Sequence, residues 1–263
     1  MKKCVGLILA LLLICLPALA AESAPVELPD GARDLLRLFA GATDEVLPFD
    51  GSAGDGNLTV EVALSSVAAD GDAVMVELSS YQAEEGGYPQ NFIGNARARL
   101  EVDSEARFGA RIVAWEMLEP PVFDAATATA QLRDKDGNNY DAANAIDGKP
   151  ETCWAYPASG SGAALTLTAS APQTVRGLEV TPGYAKSAYA FEGNLRVKQL
   201  TVTLSGGEEF IFDLADVGKD DFDGRYVLAF DGAYTADAVT LEVTDTYAGA
   251  RFDDVCISEV LMF

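Results

Sequence analysis

The excursion at residues 183–198 carries side chains suited to recognising a small polar molecule. It reads "GYAKSAYAFEGNLRVK" and contains Tyr184, Lys186, Asn194 and Arg196. An aromatic ring can cover the apolar face of a sugar, while amide and cationic groups bond its hydroxyls. The grouping of these residue types in one loop predicts a binding site for a sugar.

Three further residues belong to the same prediction. Tyr247 is expected on the rim of the loop, and Trp154 is either an aromatic platform or, alternatively, a side chain of the core. Lys198 adds a cation in a chain with 18 basic and 41 acidic residues, so an anionic sugar or carboxylate is a candidate ligand. The alternative is that Arg196 or Lys198 forms an ion pair within the protein, with Asp253 or Asp254.

Composition excludes several classes of function. The formal net charge of -23 argues against a protein that binds nucleic acid by neutralising phosphates. The chain contains no histidine, so Ser-His-Asp and Cys-His catalysis cannot be assembled within it. An acidic surface suits solubility and cation binding.

Residues 1–20 have the pattern of a signal peptide, with two lysines, a short apolar stretch and the small-residue motif "ALA". A lipoprotein signal ending at Cys15 is the alternative, but bulky Ile14 stands where a small residue is expected. Export to the periplasm or the extracellular space is therefore predicted, with no membrane span after cleavage. Cys153 and Cys256 are then the remaining cysteines, which predicts one disulfide or, alternatively, two buried free thiols.

Two regions follow the predicted signal peptide. Residues 21–122 combine one amphipathic helix with hairpin-like strand pairs, which indicates a small strand-rich α+β unit of unknown function. Two prolines at 120 and 121 break this pattern. Residues 123–263 then show short alternating runs such as "ALTLTA", "VRGLEVT", "VKQLTVTL", "RYVLAF" and "AVTLEVTDTY", which are typical of a β-sandwich. The predicted fold is dominated by β-structure.

The second region also resembles a known family. Its segments "YDAANAIDGKPETCW", "VTPGYAKSAYAFEGNLRVKQLTVTL" and "DTYAGARFDDVCISEVLMF" occur in the order found in discoidin, or factor V/VIII type C, domains. More narrowly, they resemble the glycan-binding translocation domain of NAD glycohydrolase toxins. The resemblance covers residues 123–263. It implies a jelly-roll sandwich of the galactose-binding-like type that binds a ligand, usually a sugar, through loops at one end.

The resemblance further implies a structural calcium ion. Carried over position by position, its ligands are Asp147 and Glu259 through their carboxylates and Thr152 through its backbone carbonyl. Calcium prefers six to eight oxygen ligands, and the Asp147–Gly148 turn supplies the geometry for such a set. The alternative for Asp147 is a turn residue that bonds its own backbone. Glu259 can join the set only if the last strand lies beside this turn.

The sequence thus predicts an exported, non-catalytic protein whose sandwich binds a glycan or glycoconjugate. One alternative is an envelope or adhesion protein whose sandwich binds a protein partner. A glycoside hydrolase is a further alternative, because paired carboxylates can cleave glycosidic bonds, but no acidic pair is distinguished by its context.

Overall fold

The computed structural model describes residues 26–41, 47, 60–83, 90–133, 137–158 and 162–263. The predicted signal peptide lies outside these residues. Antiparallel strands make up most of the described chain, so the predicted fold, dominated by β-structure, is confirmed. In this part of the chain, no helix is long and apolar enough to cross a membrane.

The first region is a four-stranded antiparallel meander covered on one face by a helix. Its elements are α1 (Ala32–Ala40), β1 (Val60–Asp70), β2 (Ala73–Ala83), β3 (Gln90–Val102) and β4 (Ala110–Leu118). Leu35 and Leu36 on the apolar stripe of α1 are fully buried against Val76 and Leu78 of the sheet. Burial of each leucine contributes roughly 1.5–3 kcal/mol, which fixes the helix on this face.

The second region is a β-sandwich. Its strands are β5 (Ala125–Ala128), β6 (Trp154–Pro157), β7 (Ala164–Thr181), β8 (Arg196–Leu204), β9 (Glu209–Asp213), β10 (Tyr226–Tyr247), β11 (Asp254–Ile257) and β12 (Glu259–Met262). One six-stranded sheet has the order β12-β7-β10-β8-β9, with β5 also paired to β7, while β6 and β11 form a second, two-stranded sheet. Core side chains from both sheets pack together, among them Trp154, Leu200, Leu241 and Ile257.

Short helices connect some of these strands. They are α2 (Ala188–Gly193) and two 3₁₀ turns at Ala142–Ile146 and Lys219–Asp221. The Ser187 side chain caps α2 by accepting a hydrogen bond from the Ala190 amide. This cap fixes the start of the helix that borders the candidate ligand site.

The end of the chain closes the sandwich beside its beginning. Strand β11 pairs antiparallel with β6, so Cys256 stands opposite Ala155 and Ile257 opposite Trp154. Strand β12 pairs with the end of β7, placing Glu259 opposite Thr181. These pairings bring the final residues of the chain against the segment near residue 150.

The two regions contact each other through buried polar groups. The Arg176 guanidinium of β7, 7% exposed, donates to Glu77 of β2, which also pairs with Arg97. Burial raises the pKa of Glu77, but hydrogen bonds from Arg176 and Arg97 outweigh it and hold that pKa below its ordinary value. The ring of Phe92 stacks on Phe263 with centroids 4.3 Å apart. These contacts join the first sheet to the sandwich without an intervening gap.

Candidate functional site

A pocket of about 540 Å³ opens at one end of the sandwich, beside α2. Four aromatic side chains contribute to its wall: Tyr140, Tyr184, Tyr189 and Phe252. Its polar lining includes Arg133, Asn194 and Asp254. The pocket is therefore built from well-separated segments of the chain, which the pairing of β6 with β11 brings together. Its volume lies in the range of small-molecule sites.

The aromatic rings form an inner wall and an outer rim. Tyr140 and Tyr184 meet edge to face, with ring centroids 6.1 Å apart. Tyr189 and Phe252 are 61% and 44% exposed, so both side chains are accessible to solvent. The Arg251 guanidinium lies 4.0 Å from the centroid of the Tyr189 ring and holds that ring in place. Exposed rings above a concave wall are well placed to stack on the apolar face of a sugar.

Two charged side chains in the pocket, Asp254 and Arg133, have no side-chain partner among the described residues. Within the part of the chain that the structure describes, neither the Asp254 carboxylate nor the Arg133 guanidinium makes a side-chain hydrogen bond or ion pair. Burial raises the pKa of Asp254, and the neighbouring Asp253 adds to the shift. A half-buried carboxylate without a partner carries a desolvation cost, which a ligand with hydroxyl donors relieves.

The structure places two of the predicted ligand residues in this pocket. Tyr184 is half-buried, and burial raises the pKa of its hydroxyl, with Cys153 and Tyr140 adding to the shift. Asn194 is buried, and its side-chain amide donates to the Ala190 carbonyl at 2.8 Å. Asn194 thus closes the end of α2 with one of the two N–H donors of its side-chain amide. Tyr184 forms the wall itself.

Arg196 lies elsewhere than predicted. Its guanidinium binds both carboxylate oxygens of Asp216, at 2.9 and 3.0 Å, and it sits over the ring of Phe191. Lys198 pairs with Asp245. Both cations therefore form ion pairs within the protein, as the alternative predicted. Their partners are Asp216 and Asp245 rather than Asp253 or Asp254. Because the guanidinium of Arg196 already donates two hydrogen bonds to a carboxylate, it is not available to a ligand in this arrangement.

Three more of the predicted ligand residues also lie away from the pocket. Trp154 is 0% exposed, and its indole nitrogen donates to the Ala130 carbonyl at 3.0 Å. It is a core residue and presents no face on which a sugar could stack, which corrects the platform prediction. The Tyr247 hydroxyl donates to the Leu214 carbonyl, and Lys186 is exposed without lining the pocket.

The three residues predicted to bind calcium lie around one turn, although the contact of Thr152 with Asp147 is made by its hydroxyl and not by the predicted backbone carbonyl. The 3₁₀ turn ends at Asp147, and Gly148 has a φ of 74°, a conformation that glycine adopts without strain. The Thr152 hydroxyl lies 3.0 Å from Asp147 Oδ1 and 2.8 Å from the Lys149 carbonyl. Glu259 Oε1 accepts from the Lys149 amide at 2.7 Å, so it borders the same turn. We call Asp147, Lys149, Thr152 and Glu259 the oxygen cluster.

The oxygen cluster holds two carboxylates close to each other. Burial raises the pKa of Glu259 to about 7, and the adjacent Asp147 carboxylate adds to the shift. The described residues contain no group of three acidic, histidine or cysteine side chains that could hold a metal. Any cation here would therefore also need carbonyl and hydroxyl oxygens, which is the mixture calcium accepts. Thr181 Oγ1, buried without a hydrogen bond, lies with Glu259 along a cavity of about 160 Å³.

Cys153 and Cys256 lie beneath the pocket. Both are buried free thiols in this structure and form a small apolar cluster with Ala155, against which Tyr140 and Tyr184 pack. A hydrogen bond with Cys153, reinforced by burial, raises the pKa of Cys256 well above its ordinary value. The two cysteines are thus neighbours, as expected from the sequence, while their oxidation to a disulfide stays a prediction.

Sequence reasoning missed several pocket residues. Arg133, Tyr140 and Phe252 lie outside the excursion on which the prediction concentrated, and Asp254 was considered only as an ion-pair partner. One signal was present: the closing segment places an aromatic residue and two aspartates together at the start of a predicted strand.

The fold and the pocket define a β-sandwich of the discoidin type, and comparison with known proteins identifies the family. The family model described as the NAD glycohydrolase translocation F5/8 type C domain matches residues 119–263, more than half of the chain. The chain therefore belongs to this family, and the resemblance noted from its motifs is confirmed. A search of curated proteins found no match.

Solved structures with a similar sandwich include three carbohydrate-binding modules. One is the CBM32 of AlyQ in complex with 4,5-unsaturated mannuronic acid, at 17% identity and a TM-score of 0.38, covering 56% of this chain and 98% of that one. Another is the family 32 module of C. perfringens NanJ in complex with galactose, at 18% identity and a TM-score of 0.38, covering 52% of this chain and 91% of that one. A third is chitosan-binding module 1 from a chitosanase/glucanase of Paenibacillus sp. IK-5, at 18% identity and a TM-score of 0.38, covering 54% of this chain and 96% of that one.

Proposed function

We propose that this protein is an exported, non-catalytic glycan-binding protein and that the pocket beside α2 is its ligand site. The observation that carries the proposal is a pair of charges, Asp254 and Arg133, that have no side-chain partner among the described residues and lie in a pocket walled by aromatic rings. A sugar offers the complementary surface, because it has one apolar face and a ring of hydroxyls that both donate and accept hydrogen bonds.

Each pocket group has a distinct task in this proposal. The Asp254 carboxylate accepts hydrogen bonds from ligand hydroxyls, and the Arg133 guanidinium donates to ligand oxygens. Tyr189 and Phe252 cover the apolar face of the sugar at the rim. Tyr184 and Tyr140 shape the wall, held from behind by the cysteine cluster. No member of the set is positioned as an acid paired with a base, which suits binding without catalysis.

The oxygen cluster has a supporting task. Asp147, Thr152 and Glu259 are proposed to hold a calcium ion, together with the Lys149 carbonyl. A bound calcium ion would neutralise the two adjacent carboxylates and supply a rigid centre of coordination. The residues themselves join the turn after the 3₁₀ helix to β12, and so hold the closing strand against the rest of the sandwich.

Export and the disulfide complete the proposal. In an oxidising compartment the adjacent Cys153 and Cys256 thiols would form a disulfide that links the residue before β6 to β11. A cross-link that closes a loop of this length stabilises a fold by a few kcal/mol. Both strands carry pocket residues, so the link would also fix the floor of the ligand site.

A glycan array of the protein without residues 1–20 tests the proposed function. We expect binding to a defined set of sugars and its loss in the Tyr189→Ala variant, because that ring is exposed at the rim. Ile211→Ala is the matched control, since Ile211 is equally exposed but lies on the edge strand β9. Silence across the array from a folded protein would contradict the proposal. Capture of a specific envelope protein would then favour the alternative of a protein partner.

A further inference from the structure

The Arg133 guanidinium differs from most arginines of the described chain, which form ion pairs. Acidic residues outnumber basic ones by 41 to 18, so a cation on this surface readily finds a carboxylate. Arg97, Arg99, Arg196 and Arg225 all make such ion pairs. Arg133, by contrast, is exposed on the pocket wall and has no ion pair among the described residues.

The backbone at Arg133 is held in a defined position. Arg133 pairs with Asn139 in an antiparallel bridge, and the preceding Leu132 amide donates to the Ala155 carbonyl at 2.6 Å. Leu132 also packs against the cysteine cluster. The base of the Arg133 side chain is therefore fixed against the floor of the pocket. Because Arg133 and Asp254 do not pair with each other, both charges remain available to a ligand.

We infer that the ligand of this pocket is an acidic sugar, such as a uronic acid, whose carboxylate binds Arg133 while its hydroxyls bind Asp254. This inference rests on the proposed function and specifies its ligand class. A guanidinium forms two parallel, charge-assisted hydrogen bonds with a carboxylate, which a neutral sugar cannot reproduce. A carboxylate would be repelled beside Asp254, so the two charges also set the orientation of the sugar in the pocket.

The strongly negative charge of the whole protein does not prevent this recognition. At physiological ionic strength, charges farther away than about 8 Å are largely screened, so the contact with Arg133 dominates. The same screening makes a specific prediction. Affinity for the acidic sugar falls as NaCl is raised from about 0.05 to about 0.5 M, while the affinity for a neutral sugar stays unchanged.

Matched sugars test the inference by titration calorimetry of the full chain without residues 1–20. The probes are the methyl glycosides of glucuronic and galacturonic acid, their methyl esters, and the methyl glycosides of glucose and galactose. We expect at least one acid to bind at least about tenfold more tightly than its ester and its neutral parent. Arg133→Gln should abolish this preference, and Arg133→Lys should restore only part of it.

Lys186→Gln is the control for general charge, because Lys186 is exposed and cationic but does not line the pocket. It should leave the preference unchanged. Equal affinity for acid and neutral sugar, or a preference that survives Arg133→Gln, would overturn the inference while leaving the proposed function standing. A folded protein that binds none of these probes, and no sugar on an array, would overturn both.

Discussion

The ligand pocket and the oxygen cluster both lie against the last dozen residues of the chain, yet they hold their polar groups in opposite ways. In the pocket, Arg133 and Asp254 have opposite charge, do not pair with each other, and have no side-chain partner in the part of the chain that the structure describes. In the oxygen cluster, Asp147 and Glu259 have the same charge and lie at one turn, where burial, with Asp147 adding to it, raises the pKa of Glu259. Separated opposite charges suit a ligand with both donors and acceptors, whereas crowded oxygens suit a cation.

This difference means that the two sites can be damaged separately. The largest effect is expected from Asp254→Asn, which keeps the shape of the pocket but removes the negative charge. Sugar affinity should fall on the order of 100-fold, because charged hydrogen bonds to ligand hydroxyls are lost. Calcium-dependent stabilisation should remain. Titration calorimetry and thermal unfolding of the same sample measure both, with Asp245→Asn as a carboxylate control outside the pocket.

The opposite pattern is expected from Glu259→Gln, which should weaken the effect of calcium and leave sugar binding intact. In the unaltered protein, calcium at 100-fold above its Kd should raise the free energy of unfolding by about 3 kcal/mol. The variant should lose most of this gain, because one of the two carboxylates is gone, while its sugar affinity changes little. Denaturant unfolding with calcium and with a chelator measures the difference. An equal calcium effect in both proteins would contradict the assignment of Glu259.

The free energy of unfolding of the calcium-free protein, measured as a function of pH, sharpens the comparison. The pKa of Glu259 in the folded state is about 7, above its ordinary value of 4.5, so the native state favours the protonated carboxyl. The stability from this group is complete below about pH 4.5 and is lost as the pH rises to about 7. Partial exposure screens the effect, so we expect a loss of about 1–2 kcal/mol.

Calcium, or the Glu259→Gln substitution, should flatten this part of the profile. Denaturant unfolding at several pH values between 4.5 and 7.5 measures the slope in each case. A slope of the same size in the Glu259→Gln variant would mean that another group is responsible.

The smallest effect is expected from Arg196→Gln. Because its guanidinium is matched to Asp216, its loss should change sugar affinity by less than about twofold. The array or calorimetry used for Asp254→Asn serves here too. A loss comparable to that of Asp254→Asn would show that Arg196 leaves Asp216 and takes part in binding.

Much of the fold could be predicted because its signals are local. The hairpin of β1 and β2 turns at Gly71, with a φ of 63°, where the sequence offers "AADGD" between two alternating runs. The run "VKQLTVTL" became β8 as predicted. By contrast, "RYVLAF" and "AVTLEVTDTY" are one strand, β10, rather than two. Register shifts between Ala229 and Tyr234 carry the strand through the intervening glycine segment.

The two sites differ in predictability for the same reason. The oxygen cluster depends on one tight turn, which is visible in "IDGKPET", plus a single residue of the last strand. The pocket combines Arg133, Tyr140 and Asp254, more than a hundred residues apart at the extremes, and no local pattern reports their meeting. Arg196 could not be assigned, because its partner Asp216 lies in a loop with no distinctive pattern.

The central claim is that a glycan binds in the pocket beside α2. The most direct measurement is NMR chemical-shift mapping with the tightest sugar found on the array. We predict that the shifted amides belong to pocket residues, notably Arg133, Tyr184 and Asp254. A different cavity, of about 330 Å³, lies beside Tyr156 and Thr244. Chemical-shift changes confined to that cavity would place the glycan there and contradict the account.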